Sequence, residues 1–195
     1  TLGEKDFEKA DIIAKNGIFL AIASYVAFAV IGLLVSRPFF ASQTEVLEVR
    51  EYGVTYLTIC CVAGMGFFLQ TTFERLLQAT GKTFYTMITQ GTGAVINIIL
   101  DPILIFGYFG MPRMGIAGAA VATVIGQIIA AILALVFNLK CNRELNISMK
   151  GFRPNGYLIV QIYKVGAPSI VVQAIGSLMT YGMNLILAAF GSAQT

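Results

Sequence analysis

One acidic residue, Asp101, lies deep in an otherwise uncharged apolar block, GTGAVINIILDPILIFG. A carboxylate at the centre of a membrane helix costs about 2.5–3.5 kcal/mol on insertion scales, so such residues usually face protein or water along an ion or substrate path. There a carboxyl group can take up a proton, or it can hold a monovalent cation if neutral oxygens are close. Asp101 is therefore the first candidate for chemistry.

Neutral polar groups are expected beside this carboxylate. Asn97 lies four residues before Asp101 and shares its helix face, and Gly93 continues that face by one more turn. Pro102 removes a backbone N–H and so frees one helix carbonyl. Thr123, at similar depth on the next apolar block, can complete a cation site. The alternatives are an Asn–Asp pair that only bonds a neighbouring helix and a Thr123 hydroxyl bonded to its own helix.

Other polar side chains within apolar blocks are weaker candidates. Each can line a substrate cavity, but each can equally bond two helices together, and we place Gln70, Gln173 and Asn184 in the cavity at low rank. Tyr25, Tyr56 and Tyr181 can line a cavity for aromatic or cationic solutes, although tyrosine is also a routine anchor at the membrane edge.

Composition indicates an all-α integral membrane protein. Of 195 residues, 57% are hydrophobic and only 12% are charged, and the apolar residues fall into blocks of about 20, the length of a membrane-spanning helix. The sequence has no His, no phosphate-binding glycine loop and no metal-ligand cluster. These absences argue against an enzyme and against a bound cofactor.

About five transmembrane helices are predicted, over residues 16–36, 53–72, 84–106, 116–137 and 165–190. Residues 1–15 are expected to form an exposed amphipathic lead-in. The S-x-x-E pattern at Ser42–Glu45 predicts a helix start, and FERLLQATGKT is predicted to be a loop with Gly81 as helix stop. Both ends of the chain look cut, which suggests an internal piece of a longer protein.

Small residues predict close packing of the third and fourth spans. Gly118, Ala122 and Gly126 repeat at four-residue spacing, and Thr123 belongs to a parallel stripe. A tight Gly/Pro turn joins the two spans, so antiparallel neighbours are expected.

Loop charge predicts the orientation in the membrane. Of 13 Lys and Arg residues, 10 lie in connections on one side and 3 on the other. The positive-inside rule then places residues 1–15 and 139–162 in the cytoplasm of a multi-pass cell-membrane protein.

Several stretches resemble the multidrug and toxic compound extrusion (MATE) transporter family. LGEKDFEKA, FERLLQATGKTFYTM and YKVGAPSIVVQ resemble its third-helix entry, a helix-connecting loop and the start of helix seven, and NIILDPILIFGYFGMPRMGIAGAAVATVIGQ is the most specific match. The resemblance covers essentially the whole chain and implies helices three to seven of twelve in a partial MATE-type two-lobe bundle.

The resemblance implies three segments. Residues 1–138 would supply four helices of the amino-terminal lobe, 139–162 a cytoplasmic connection between the lobes, and 163–195 the first helix of the carboxy-terminal lobe. It also implies that Asn97, Asp101 and Thr123 bind the coupling cation. No acidic residue lies in the fifth span, which disfavours a second-lobe cation site.

The function implied is secondary antiport, with organic and often cationic compounds or drugs exported in exchange for Na⁺ or H⁺. The expected partners are small organic solutes, membrane lipid and the remainder of the same chain, with no nucleic acid and no metal beyond Na⁺ at Asp101.

One alternative is a flippase for lipid-linked saccharides, disfavoured because Lys and Arg occur only near the ends of the spans. An intramembrane enzyme would need a second catalytic group, and no other acid is expected within a span. A non-transporting structural subunit is the third alternative.

Overall fold

The computed structural model describes residues 7–43, 46–142, 145, 147 and 154–191, and the regular structure in these ranges is helical. The helices are α1 Phe7–Gln43, α2 Leu47–Val62, α3 Met65–Ala79, α4 Thr83–Phe106, α5 Ile116–Cys141 and α6 Gly156–Gly191. Within these described ranges, four helices are long and apolar enough to cross a membrane, and the bent pair α2–α3 can supply a fifth span. The predicted all-α membrane fold is confirmed.

Helix α1 is longer than the first predicted span at both ends. It begins at Phe7, so the part of the lead-in that the structure describes is helical, and it continues through Pro38. Ala10 and Ala14, which are four residues apart, lie on one face of the helix, and both are buried. The predicted helix start at Ser42 is wrong, because the Ser42 hydroxyl donates to the Phe39 carbonyl of its own helix, at 2.7 Å.

The second predicted span is divided into two helices. Helices α2 and α3 are bent by 49° at the break between them, and a Cβ added at Gly64 would lie 2.5 Å from the Cys60 carbonyl oxygen. Helix α3 continues to Ala79, beyond the predicted end of the span. Much of the predicted FERLLQATGKT loop is therefore helix, because Phe73 and Leu77 are buried on one of its faces.

Helices α4 and α5 pack as a close antiparallel pair. Gly107 and Gly115 have positive φ angles of 76° and 54° at the two ends of the turn that joins them. A Cβ at Gly118 would lie 2.5 Å from the Leu104 carbonyl oxygen, and one at Gly126 would lie 2.9 Å from the Gly93 carbonyl oxygen. The predicted glycine stripe thus forms the contact surface of this pair.

The chain divides into two compact units, Thr1–Phe152 and Arg153–Thr195. In the first unit, the core contains Ile18 of α1, Phe73 of α3 and Ala134 of α5, together with Ile147. In the second unit, the Asn155 side-chain oxygen accepts hydrogen bonds from the backbone N–H groups of Tyr157 and Leu158 at 3.1 and 3.4 Å. This capping starts α6 at Gly156, before the predicted start of the last segment at 163.

Candidate functional site

Asp101 and Asn97 lie one turn apart on α4, as their spacing predicts. The Asn97 Nδ2 donates to Asp101 Oδ1 at 3.4 Å. With the amide turned so that its oxygen faces α5, Nδ2 donates to Asp101 Oδ2 at 3.2 Å. Asp101 is half-buried, so its carboxylate has a protein partner on one side and remains accessible on the other.

Thr123 of α5 meets the same asparagine. In the first amide orientation, its Oγ1 accepts from Asn97 Nδ2 at 3.3 Å while its hydroxyl proton is donated to the Ala119 carbonyl at 2.9 Å. In the turned orientation, its hydroxyl donates to the Asn97 oxygen at 3.3 Å. The two roles considered for Thr123 are therefore compatible. When the single hydroxyl proton points to Ala119, the oxygen lone pairs stay available on the Asn97 side.

Helix α2 contributes Tyr56 to this cluster. Tyr56 lies near Thr123, Cys60 and Asp101, close enough for its hydroxyl to interact electrostatically with all three. The sequence offered only a weak indication for Tyr56, because a lone tyrosine in an apolar block is usually an anchor. Three helices thus bring oxygen atoms to one place, which we call the Asp101 cluster: Tyr56, Asn97, Asp101 and Thr123.

A pocket of ≈ 260 Å³ opens beside the Asp101 cluster. Its walls come from one face of each of three helices: Phe67 and Gln70 of α3; Gln90, Gly93, Ala94 and Asn97 of α4; Thr123, Gly126 and Gln127 of α5. The polar groups are neutral amides and one hydroxyl. Gln70, a low-ranked candidate from the sequence, therefore shares a pocket with Asn97 and Thr123.

Sequence patterns gave no direct indication of a role for Glu74, which falls within the segment FERLLQATGKT that is predicted to be a loop. It lies in α3, with 5% of its surface exposed. Its carboxylate accepts hydrogen bonds from Gln70 Nε2 at 3.0 Å, Thr89 Oγ1 at 2.9 Å and Gln90 Nε2 at 2.9 Å. The expectation that Asp101 is the only acid within a span is thus wrong. The available signal was the spacing of Gln70 and Glu74, which places both on one helix face.

Gln173 and Asn184 lie on α6, in the second unit. Both are exposed within that unit. Asn184 borders a shallow groove along α6 with Gly176, Met179, Thr180 and Met183, and the Gln173 carbonyl accepts a hydrogen bond from Ser177 Oγ at 3.2 Å. Their assignment to a substrate cavity stays a prediction.

The donor set suits a proton or a hard cation. Within the part of the chain that the structure describes, no group of three or more His, Cys, Asp and Glu is placed to hold a metal ion. The Asp101 cluster offers one carboxylate with amide and hydroxyl oxygens, and hard cations take oxygen ligands of these types.

Comparison with known proteins gives a consistent picture. A family model described as MatE matches residues 1–103. The multidrug export protein MepA of Staphylococcus aureus (strain NCTC 8325 / PS 47) is 28% identical over 98% of this chain and 42% of its own length. The protein of the same name from Staphylococcus haemolyticus (strain JCSC1435) is 29% identical over 98% of this chain and 41% of its own length. This chain spans about two fifths of these curated relatives.

Solved structures share the backbone arrangement. An outward-facing conformation of a multidrug resistance MATE family transporter of the MOP superfamily aligns with a TM-score of 0.83 at 23% identity, covering 92% of this chain and 39% of that one. A MOP superfamily transporter from Pyrococcus furiosus Vc1 (DSM3638), described as having a binding pocket of reverse polarity and a different function, gives 0.78 at 24% identity, covering 88% and 37%. The fold is therefore shared by proteins for which different functions are suggested.

Proposed function

Because this chain belongs to the MatE family, we propose that the protein is a secondary antiporter. It exports organic, often cationic, compounds in exchange for Na⁺ or H⁺, and the Asp101 cluster binds the coupling ion. The S. aureus and S. haemolyticus relatives are named as multidrug export proteins, which supports drug-like substrates. The proposal is one of transport and not of catalysis.

One observation carries the proposal: a carboxylate inside a membrane helix is bonded to a neutral amide that also contacts the next helix. Asn97 lies between Asp101 and Thr123, at 3.4 Å from the first and 3.3 Å from the second. A cation at Asp101 would attract the side-chain oxygens of Asn97 and Thr123, and a proton would remove the negative charge of the Asp101 carboxylate. Either change alters the contact between α4 and α5.

The pocket beside the cluster supports organic cations as substrates. Among the described residues, its lining contains amides, a hydroxyl and apolar groups, without a Lys or Arg side chain. A lipid-linked saccharide carries phosphate groups, and a flippase for such anions would need basic groups in the cavity. The lining therefore favours export of cationic or neutral organic solutes over the flippase alternative.

Coupling follows from differential binding in two conformations. An ion that binds one state more tightly shifts the population toward that state, by no more than its difference in affinity. Tyr56 links the cluster to α2 through Thr123, so ion occupancy reaches a third helix as well. Alternating access then exchanges the ion for the solute across the membrane.

We keep the division into residues 1–138, 139–162 and 163–195 as part of this proposal. The boundary between the two compact units, Phe152/Arg153, lies inside the proposed connection 139–162, which supports the division. The cytoplasmic placement of 1–15 and 139–162 also remains a proposal, supported by the distribution of basic residues.

The test is solute export by the protein reconstituted in liposomes, driven by an imposed Na⁺ or pH gradient. We expect Asp101→Asn to abolish gradient-driven export, because the amide can neither bind the proton nor supply the carboxylate ligand. Glu48→Gln, which removes a carboxylate exposed in the first turn of α2, is the matched control and should export like the wild type. Export by Asp101→Asn at the wild-type rate would refute the assignment.

A further inference from the structure

Glu74 is a buried carboxylate that the proposed ion site does not use. It occupies the second half of α3, two turns before the turn into α4, and it is 5% exposed. An acid that is buried beside apolar residues is costly unless its charge is compensated or removed by a proton. Its presence therefore needs a physical explanation.

Among the residues that the structure describes, the partners of the Glu74 carboxylate are neutral. Gln70 Nε2 and Thr89 Oγ1 lie 3.0 and 2.9 Å from Oε1, and Gln90 Nε2 lies 2.9 Å from Oε2. The backbone is also fixed, since the Thr86 hydroxyl lies 3.5 Å from the Glu74 carbonyl oxygen. Neutral donors stabilise an ionised carboxylate without fully cancelling its charge, so the cost of that charge in a low dielectric persists.

The Thr89 hydroxyl allows Glu74 to be satisfied in both protonation states. Its single proton can go to Glu74 Oε1 at 2.9 Å or to the Thr86 carbonyl at 2.8 Å. When Glu74 is ionised, the hydroxyl donates to the carboxylate. When Glu74 is protonated, its own O–H can donate to Thr89 Oγ1 while Thr89 donates to Thr86. No heavy atom has to move between the two states.

A polar face of α4 connects Glu74 with the Asp101 cluster. Gln90, Gly93, Ala94 and Asn97 follow one another along the face that lines the pocket, and Asp101 comes one turn later. The eleven residues from Gln90 to Asp101 correspond to about 16 Å of helix. Gln70 and Gln90, which bond the Glu74 carboxylate, line one end of the pocket, and Asn97 and Thr123 line the other.

Within the described ranges, no charged side chain of α3 or of the helices packed against it donates to the Glu74 carboxylate. Arg75 Nη1 donates to Gln78 Oε1 at 2.8 Å, and Lys82 Nζ donates to Asn142 Oδ1 at 3.3 Å. The other charged or titratable residues on these helices are Glu8, Lys9, Asp11, Lys15, Tyr25 and Arg37 of α1, Tyr85 and Asp101 of α4, and Lys140 and Cys141 of α5. The side chains bonded to the Glu74 carboxylate in the described ranges remain Gln70, Thr89 and Gln90.

We propose that Glu74 reversibly binds a proton and is a second ion-binding site, at the opposite end of the pocket from Asp101. The proton comes from water that enters the pocket beside Gln70 and Gln90 and returns to it, so no bond other than O–H is formed or broken. Thr89 is the positioning residue, because its hydroxyl switches between donor and acceptor as the carboxyl group changes charge. This site does not depend on the proposed antiport by the Asp101 cluster.

The test is infrared difference spectroscopy of the purified protein in lipid while pH is varied. The C=O stretch of a protonated carboxylic acid reports each acid that takes up a proton, and its frequency depends on the hydrogen bonds that the group makes. We expect a titrating band that is lost in Glu74→Gln, kept in Asp101→Asn and kept in the exposed-site control Glu48→Gln. Retention of the wild-type spectrum by Glu74→Gln would overturn the proposal.

Thr89→Val gives an independent answer that leaves Glu74 in place. It keeps the side-chain shape and removes the hydroxyl, so we expect the Glu74 band to shift in frequency and its titration midpoint to move. If Glu74→Gln does not fold, the Thr89→Val variant provides the test. An unchanged frequency and titration midpoint of the Glu74 C=O band would overturn the proposal, and a shift in both would support it.

Discussion

Replacing Gly126 with Ala is expected to disturb the Asp101 cluster from a neighbouring turn of α5. A Cβ at this position would lie 2.9 Å from the Gly93 carbonyl oxygen of α4, whereas ordinary contacts begin at 3.4 Å. The α4 backbone must therefore retreat by about 0.5 Å, since a carbonyl inside a helix cannot rotate away. Insertion of a methyl group into such a contact costs about 1–3 kcal/mol of unfolding free energy.

The same displacement predicts weaker ion binding. Asn97 Nδ2 and Thr123 Oγ1 are 3.3 Å apart, and a retreat of about 0.5 Å along this direction would take them beyond hydrogen-bond range. A neutral hydrogen bond contributes about 0.5–1.5 kcal/mol, so the affinity of the Asp101 cluster should fall by about 2- to 12-fold.

The assay is thermal unfolding of Gly126→Ala in detergent over a range of Na⁺ concentrations and pH values, because an ion that binds only the folded protein raises its unfolding temperature. Gly91→Ala is the matched control: it adds the same methyl group to exposed α4 surface, with no atom within 4 Å. A Gly126→Ala protein as stable as Gly91→Ala would refute the packing estimate. Wild-type ion affinity in a destabilised Gly126→Ala protein would refute the link to Asn97 and Thr123.

Two further substitutions separate ion binding from stability. Tyr56→Phe removes a hydroxyl that lies beside Thr123 and Asp101, so ion affinity should fall by at most about 12-fold, the worth of one neutral hydrogen bond, with little change in unfolding temperature without ion. Unchanged affinity would remove Tyr56 from the cluster. Asn138→Ala removes a buried amide that donates to the Phe73 carbonyl at 2.9 Å, so unfolding should become easier by about 1–3 kcal/mol with ion affinity retained. Wild-type stability of Asn138→Ala would contradict the second expectation.

The Asp101 cluster was partly predictable because its determinants are local. Asn97 and Asp101 are joined by helix periodicity, and Thr123 reaches them because a short turn fixes the register of α4 against α5. Depth counted from that turn was therefore sufficient to place the three together. Tyr56 comes from α2, whose position depends on packing between segments that are distant in the sequence. Helix periodicity does not predict how close α2 lies to α4 and α5.

Glu74 and the bend between α2 and α3 were not predictable by the same reasoning. Adjacent charges at Glu74 and Arg75 are typical of a loop, and their difference in burial depends on which face of α3 meets α4. The two residues point to different environments, since Glu74 is bonded to Thr89 and Gln90 while Arg75 is exposed. Average hydropathy along the sequence does not distinguish the buried face of α3 from its exposed face. The second predicted span therefore ends at residue 72, although α3 continues to Ala79.

The bend between α2 and α3 places the two acids next to different helices: the Asp101 cluster adjoins α2, and Glu74 lies on α3. Tyr56, on α2, lies beside the other residues of the Asp101 cluster, whereas Gln70 and Glu74 lie on α3, beyond the 49° break. An ion bound at Asp101, as proposed, would therefore act on the α2 half of this bent pair, and a proton at Glu74 would act on the α3 half. Because the break separates α2 from α3, the two halves can respond to the two proposed sites separately.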